Sequence, residues 1–380
     1  MLGKRLKRSV GEKGFEPPTH SSTGAFAMNN MAMVEHQFRG ANASDLVLHA
    51  QLCLRFGDFE QALAICQFAR SVGIDEMSIL LTEATAQFAS GGAAGALTTV
   101  DSVLRVAPED ISALYLKAVI LMRLGDREMS RSLFLRVIQQ FPNFPGALGM
   151  LSSLIMPGRP YSHVLNRLHQ VLRPNTYLEI GVDSGATLAL ATTARQVVGV
   201  DPSDRLLDVP MPSTARVYRQ TSDEFFALEK RETVFSGEPV DFVFIDGMHW
   251  FEYALRDFIN AERWVSKEST IVLHDCLPAS RLAATRDRKT QFWVGDVWKV
   301  LEALIEYRPD LDIRIIPTPP SGLVIVRRLN PSSAVLHEMF EEILTRYSAR
   351  VYPYECGAFP AHYHIIENND DALIQALANG

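Results

Sequence analysis

The chain has 380 residues, 47% hydrophobic and 21% charged, with a formal net charge of −7 at pH 7. That length exceeds one compact core and predicts two domains. The acidic balance argues against a general nucleic-acid binder.

No apolar run approaches the roughly 18–20 residues of a membrane span, and no signal-peptide core follows the basic start. The four cysteines, Cys53, Cys66, Cys276 and Cys356, form no CxxC pair or disulfide framework. The expectation is a cytoplasmic protein with no membrane contact. Residues 1–42 read as an unfolded tail, basic at Lys4, Arg5, Lys7 and Arg8, then rich in Pro, Gly, Ser and Asn. The spelling GEKGFEPPTHSSTG resembles the conceptual translation of a transfer-RNA gene, which moves the expected start to Met28, Met31 or Met33.

From Ala43 a repeat with a period of 34 residues appears. Gly57, Gly91 and Gly125 fall in register as interhelical turns, Ala50, Ala84 and Ala118 as the small residues where helices cross, and Ala62, Ala96 and Ser130 as a second small set. Pro108 and Pro142 close the second and third units; Ile74 stands there in the first. The units Ala43–Glu76, Met77–Asp110 and Ile111–Phe144 resemble tetratricopeptide repeats. One unit cannot bury its face alone, so three make a minimal array. We expect an all-helical domain over residues 43–156, with Phe144–Ile155 as its cap. Such arrays present a surface to a partner protein or to a second copy; the sequence leaves open which, or whether the array only packs on its neighbour.

Pro157-Gly158-Arg159-Pro160 marks a boundary. Tyr161–Val171 predicts an amphipathic helix, followed by Thr176–Ser203, TYLEIGVDSGATLALATTARQVVGVDPS. An apolar run ends on Glu179 and Gly181, a turn through Ser184 and Gly185 leads into an Ala/Thr-rich segment read as a short helix, and a second apolar run closes on Asp201. This is the strand–turn–helix–strand–acid layout of a nucleotide-type site, in which small residues admit a ligand to the backbone and a helix N-terminus offers free N–H groups. Asp201, twenty residues after Gly181, is placed to accept from the ribose hydroxyls. Further strands are expected at Ala215–Gln220, Val240–Ile245, Thr270–Leu273, Asp312–Ile316 and Gly322–Arg327, with helices at Ser222–Arg231, Phe251–Val265, Gly295–Tyr307 and Ser332–Ala349. Alternating strands and helices predict a parallel sheet covered on both faces. The short Pro-rich turn before Gly322 predicts an antiparallel final pair.

The nicotinamide fingerprint asks for glycines where this chain has Gly181, Asp183 and Ala186, so its middle glycine is missing. The spelling E-I-G-V-x-x-G-x-T instead resembles the first motif of class I S-adenosylmethionine-dependent methyltransferases. DFVFIDGMHWFEYALRDF followed by IVLHD is similar to methyltransferase family 24, the group of macrocin-type sugar O-methyltransferases and cephalosporin-hydroxylase-like proteins. The resemblance covers about residues 158–330 and implies a Rossmann-like seven-stranded methyltransferase sheet with an antiparallel last strand, over residues 157–330. Residues 331–380 would form a C-terminal helix and extension.

The resemblance also implies roles. Glu179, Gly181, Ser184, Gly185, Asp201, Ser222, Asp223 and Asp246 would hold S-adenosylmethionine, Glu179 at its methionine end and Ser222-Asp223 near the adenine. Related members bind a divalent cation at positions matching Asp246 and His274-Asp275, which gives Asp246 and Asp275 as metal ligands. His where some members have an acid turns the donor set toward softer metals or none. His249, just past a strand end, reads as the general base, with Asp246 and His274 beside it at the reacting end. Cys276 reads as a small apolar filler.

Leu277–Val294, carrying Arg281, Arg286, Arg288 and Lys289 ahead of Phe292-Trp293, reads as a lid, its charges either meeting an anionic acceptor or simply solvated. The expected function is O-methylation of a sugar or small-metabolite hydroxyl. Two rivals stand beside it: a repeat-based interaction protein with an inactive methyltransferase-like domain, and a nicotinamide-dependent oxidoreductase.

Overall fold

The structure, a computed structural model, describes residues 33–205, 209–354 and 357–378. The basic tail with Met28 and Met31, and Cys356, lie outside these residues. The chain divides into two compact units, the first ending at Leu124 and the second beginning at Gly125.

In the first unit the described residues form helices α1 (Ala43–Arg55), α2 (Phe59–Ser71), α3 (Met77–Ala89), α4 (Ala93–Val106) and α5 (Ile111–Leu124), after a helical stretch over 33–38. Each helix packs on the next, and α3 also meets α1 and α5. The stacking follows from the small residues. Ala50, Ala62, Ala84, Ala96 and Ala118 are all fully buried, so backbones approach closely and larger neighbours such as Leu46, Ile65, Val100 and Ile120 fill the core. Gly57 and Gly91 take left-handed φ of 78° and 90° at helix ends, where a side chain would be strained. Asn42 and Asp58 cap α1 and α2 by accepting the Asp45 and Gln61 N–H groups.

The second unit opens with α6 (Arg127–Gln140), α7 (Ala147–Ile155) and α8 (Tyr161–Leu172). A sheet follows: β1 (Thr176–Ile180), β2 (Gln196–Val200), β3 (Ala215–Tyr218), β4 (Val240–Ile245), β5 (Val265–His274), β6 (Asp312–Ile316) and β7 (Leu323–Arg327), in the order β3-β2-β1-β4-β5-β7-β6. The first five strands are parallel, and β7 runs antiparallel to both β5 and β6.

Side-chain alternation splits the sheet into two covered faces. Leu178, Val198, Val243 and Ile271 pack with Leu255 and Phe258 of α11 (Phe251–Glu262) and Leu301 of α12 (Trp298–Tyr307). Tyr177, Val197, Phe242 and Val272 pack with Val164, Leu165 and Leu168 of α8. The edge strand β6 is capped by the tail: the Ile315 N–H donates to the His364 carbonyl and the Ile366 N–H to the Ile315 carbonyl.

The segment after Gly185 departs from expectation. It holds one 3-10 turn, Leu188–Leu190, in place of a helix. Only residues 186–195 separate Gly185 from β2, and the Thr187 hydroxyl is drawn inward to donate to Glu179 at 2.7 Å. Elsewhere, the segment expected as one helix over 222–231 is α9 (Ser222–Leu228) and α10 (Arg231–Val234), parted where Glu229 turns extended. The 332–349 segment breaks at Met339 into α13 (Val335–Glu338) and α14 (Phe340–Tyr347). α15 (Asp370–Ala378) closes the described chain.

Candidate functional site

A cavity of about 860 Å³ opens beyond the carboxyl ends of β1, β2, β4 and β5, the region where open α/β sheets bind ligands. Gly181, Val182, Asp183 and Ser184 line one part of it, with Asp201, Ser222 and Asp223; Asp246, Met248, His249, His274 and Asp275 line the middle; Arg288, Phe292 and Trp293 lie at the far part.

The glycine turn is held from both sides. The Gly181 N–H donates to the Val200 carbonyl and the Asp246 N–H to the Ile180 carbonyl. A Cβ on Gly181 would lie 2.0 Å from the Asp246 carbonyl oxygen, at a φ of 88°, so no other residue fits there. Asp201 Oδ2 accepts from the Val182 and Asp183 N–H groups, and Oδ1 from the Ser203 N–H, all at 2.8 Å. A carboxylate has about four acceptor sites, so about one remains for a ribose hydroxyl. The segment is not a helix, and three amides of the turn are already engaged: those of Val182 and Asp183 by Asp201, and that of Gly185 by the Val182 carbonyl.

Glu179 does not line the cavity. It is fully buried, accepting from the Tyr177 hydroxyl at 2.6 Å and the Thr187 hydroxyl at 2.7 Å, and burial pushes its carboxyl up to about 8. Gly185 also lies off the cavity and closes the turn at a φ of 81°. Asp223 lines the cavity, but its carboxylate takes a bidentate pair from Arg256 at 3.0 and 2.8 Å.

Asp246, His249, His274 and Asp275 form one cluster. His274 Nδ1 lies 3.1 Å from Asp246 Oδ1. Its Nε2 lies 3.2 Å from the Ser321 hydroxyl oxygen, and that hydroxyl donates to Asp275 Oδ1. With acceptors at both nitrogens, His274 serves best as an imidazolium. Burial opposes its charge, but Asp246 and Asp275 outweigh burial and raise its pKa. The Tyr161 ring stacks on it at 4.2 Å.

His249 Nδ1 donates to the Trp293 carbonyl at 3.2 Å, while Nε2 lies 3.1 Å from Asp275 Oδ2 and 3.6 Å from Asp246 Oδ1. Burial pulls its pKa down, but Asp275 and Asp246 raise it further, to about 9. Burial pushes Asp246 up, yet the His274 charge and the hydrogen bonds of both histidines hold it well below the usual range. Burial dominates at Asp275, which sits above its ordinary value. Asp275 also adopts a φ of 61° at the end of β5, a left-handed conformation of the kind that clusters at functional sites.

The donor atoms of Asp246, His249 and Asp275 all lie within 4.8 Å of one another. Two carboxylates and one imidazole fit a mixed oxygen–nitrogen donor set for a divalent cation. His249, expected as the general base, joins the two expected ligands Asp246 and Asp275 in this set, while His274 has its Nδ1 engaged with Asp246. Tyr161, Ser321 and Arg256 were missed by the sequence reading; they come from α8, the turn before β7 and α11, and only tertiary packing brings them here. Cys276 is buried with its thiol pushed far up, as a filler.

Residues 178–276 match the family model described as a methyltransferase domain. No curated protein matches the chain. Among solved structures, the cofactor-bound Rv0187 from MTB is 18% identical, covering 51% of this chain and 94% of its own, with a TM-score of 0.37. The O-methyltransferase from Bacillus cereus in complex with SAH is 14% identical, at 51% and 96% coverage and a TM-score of 0.33. The O-methyltransferase TomG from Streptomyces achromogenes, involved in tomaymycin synthesis and in complex with SAM, is 13% identical, at 52% and 96% coverage and a TM-score of 0.35.

Proposed function

Taking residues 178–276 as the methyltransferase domain they match, we propose that this chain transfers the methyl group of S-adenosylmethionine to a hydroxyl of a sugar or other small molecule. The observation that carries the reading is the single cavity joining the Gly181 turn and Asp201 to the Asp246–His249–Asp275 cluster.

When bound, that sulfonium supplies an electrophilic methyl carbon, so the protein has only to align an acceptor oxygen and take its proton. The Trp293 carbonyl holds the Nδ1–H of His249, which leaves Nε2 as the basic atom of the neutral ring, facing Asp246 and Asp275. With a pKa near 9, His249 is protonated at neutral pH in the free protein, so it becomes a competent base as the pH rises. The alternative to this base is a divalent cation, which Asp246, His249 and Asp275 would hold; His249 Nε2 would then be a ligand, and the cation would supply acidification of the acceptor hydroxyl.

The nicotinamide reading loses support. Asp183 stands where close backbone approach to a pyrophosphate needs glycine, and the turn feeds no helix N-terminus to bind one. Partner docking or self-association through the first unit's stacked helices stays part of the proposal.

The test is a calorimetric titration of S-adenosylmethionine into the full chain and its Asp201→Asn variant, with and without EDTA. Saturable binding that weakens at least tenfold in the variant, about 1.4 kcal/mol, is expected. A folded wild-type protein that gives no heat overturns the reading. A chelator effect assigns a cation to the cluster.

A further inference from the structure

The loop between β5 and α12 carries four basic residues, and three are accounted for. Arg286 makes a bidentate pair with Glu252 at 2.8 and 2.5 Å and stacks over Trp250. Arg281 donates to the Pro353 carbonyl. Lys289 is exposed, as Arg288 is, but does not line the cavity.

Arg288 differs. It is the one lysine or arginine among the residues lining the cavity. Its Nη2 donates to the Gln291 carbonyl at 2.9 Å and its guanidinium lies 6.0 Å from the centre of the Trp293 ring. No carboxylate pairs with it among the described residues.

The cavity's own carboxylates are already engaged. Asp183 pairs with Arg205 at 3.0 Å, Asp223 with Arg256, Asp201 with three backbone amides, and Asp246 and Asp275 with the two histidines. What remains is a planar cation beside Trp293. The Trp293 ring lies 5.4 Å from that of His249 and 6.0 Å from this guanidinium. The Trp293 ring neighbours both groups, so the guanidinium and the reacting cluster lie within the reach of one ring-sized molecule carrying a charged arm.

We propose that the methyl acceptor is an anion: a ring-sized hydroxylated molecule whose carboxylate or phosphate is held by the fork of Arg288, while Trp293 and Phe292 wall its body. This rests on the methyltransferase reading. In the transfer the acceptor O–CH3 bond forms as the donor C–S bond breaks, leaving a neutral thioether, and the hydroxyl proton passes to the cluster. Arg288 is a specificity residue and takes no part in that exchange.

The experiment loads the full chain with S-adenosylhomocysteine and measures binding, by ligand-detected NMR, of paired probes differing in charge. The pairs are 3,4-dihydroxybenzoate and its methyl ester, glucuronate and glucose, and glucose 6-phosphate and glucose. The expected result is at least tenfold tighter binding of one anionic member, a gap that closes in Arg288→Gln while the variant keeps wild-type affinity for S-adenosylhomocysteine. The carboxylate and phosphate arms distinguish the two sources of charge. Equal binding within every pair, no binding of any probe, or an unchanged gap in Arg288→Gln overturns the proposal and leaves the methyltransferase reading standing. Failure to bind S-adenosylhomocysteine overturns both, and is told apart at the loading step.

Discussion

Replacing Glu179 by Gln separates a stability cost from a functional role. The carboxyl is fully buried between two hydroxyl donors and its pKa is pushed up to about 8 from an ordinary 4.5. The folded chain therefore binds more protons than the unfolded chain between these values, and stability falls as the pH rises through that window. At about 1.4 kcal/mol per unit, a span of roughly 3.5 units costs about 5 kcal/mol by pH 8 as an upper bound. Glutamine mimics the neutral acid, since the hydroxyls of Tyr177 and Thr187 can donate to its oxygen or accept from its amide. Urea unfolding of wild type and Glu179→Gln from pH 5 to 8.5 should therefore give a difference curve near zero at pH 5. The variant should gain several kcal/mol by pH 8 and level off above it. A difference curve that stays flat refutes the burial argument, and one that falls with pH refutes its sign.

His169 predicts the mirror case. Its ring is buried against Tyr177 and Phe242, both nitrogens lack hydrogen-bond partners, and burial lowers its pKa to about 4. Folded stability thus falls as the pH drops from 6.5 to 4, by about 3 kcal/mol, and His169→Phe should remove that acid limb in thermal melts taken over this range. Gly295→Ala should disrupt the reacting end from outside the cavity. Its Cβ would lie 1.7 Å from the His249 carbonyl oxygen at a φ of 64°, so methyl transfer should fall at least tenfold while S-adenosylmethionine affinity, read by calorimetry, changes little. Wild-type activity in the variant would show that His249 tolerates displacement.

Much of the fold was legible because local chemistry and tertiary need agree. Val240–Ile245 and Asp312–Ile316 read as strands from apolar runs bounded by turn residues, and both have these bounds. The 34-residue register picked out Ala50, Ala84 and Ala118, all fully buried, and Gly57, Gly91 and Gly125, all at positive φ. The short turn ahead of β7 gave its antiparallel direction.

The segment after Gly185 was misread because Ala and Leu favour helix locally, while the span to β2 and the bond from Thr187 to Glu179 decide otherwise. At the site, strand-end acids and histidines were visible by position, but their partners were not. That His249 Nδ1 meets the Trp293 carbonyl, that Ser321 joins His274 to Asp275, and that Asp223 is claimed by Arg256 all depend on residues more than 30 positions apart, which no spacing rule reaches.

The seam where Gly181 lies against the Asp246 carbonyl oxygen divides the labour of the chain. On one side the cavity is built from strand ends and the turn, fixed by the sheet's register, and at Gly181 no side chain larger than hydrogen fits. On the other, Arg288, Phe292 and Trp293 belong to the loop between β5 and α12, whose Trp293 carbonyl also holds His249 Nδ1. If the acceptor is held as proposed, side-chain substitutions at Arg288 or Phe292 would change which acceptor fits while that backbone contact, the turn and the strand-end cluster stay in place.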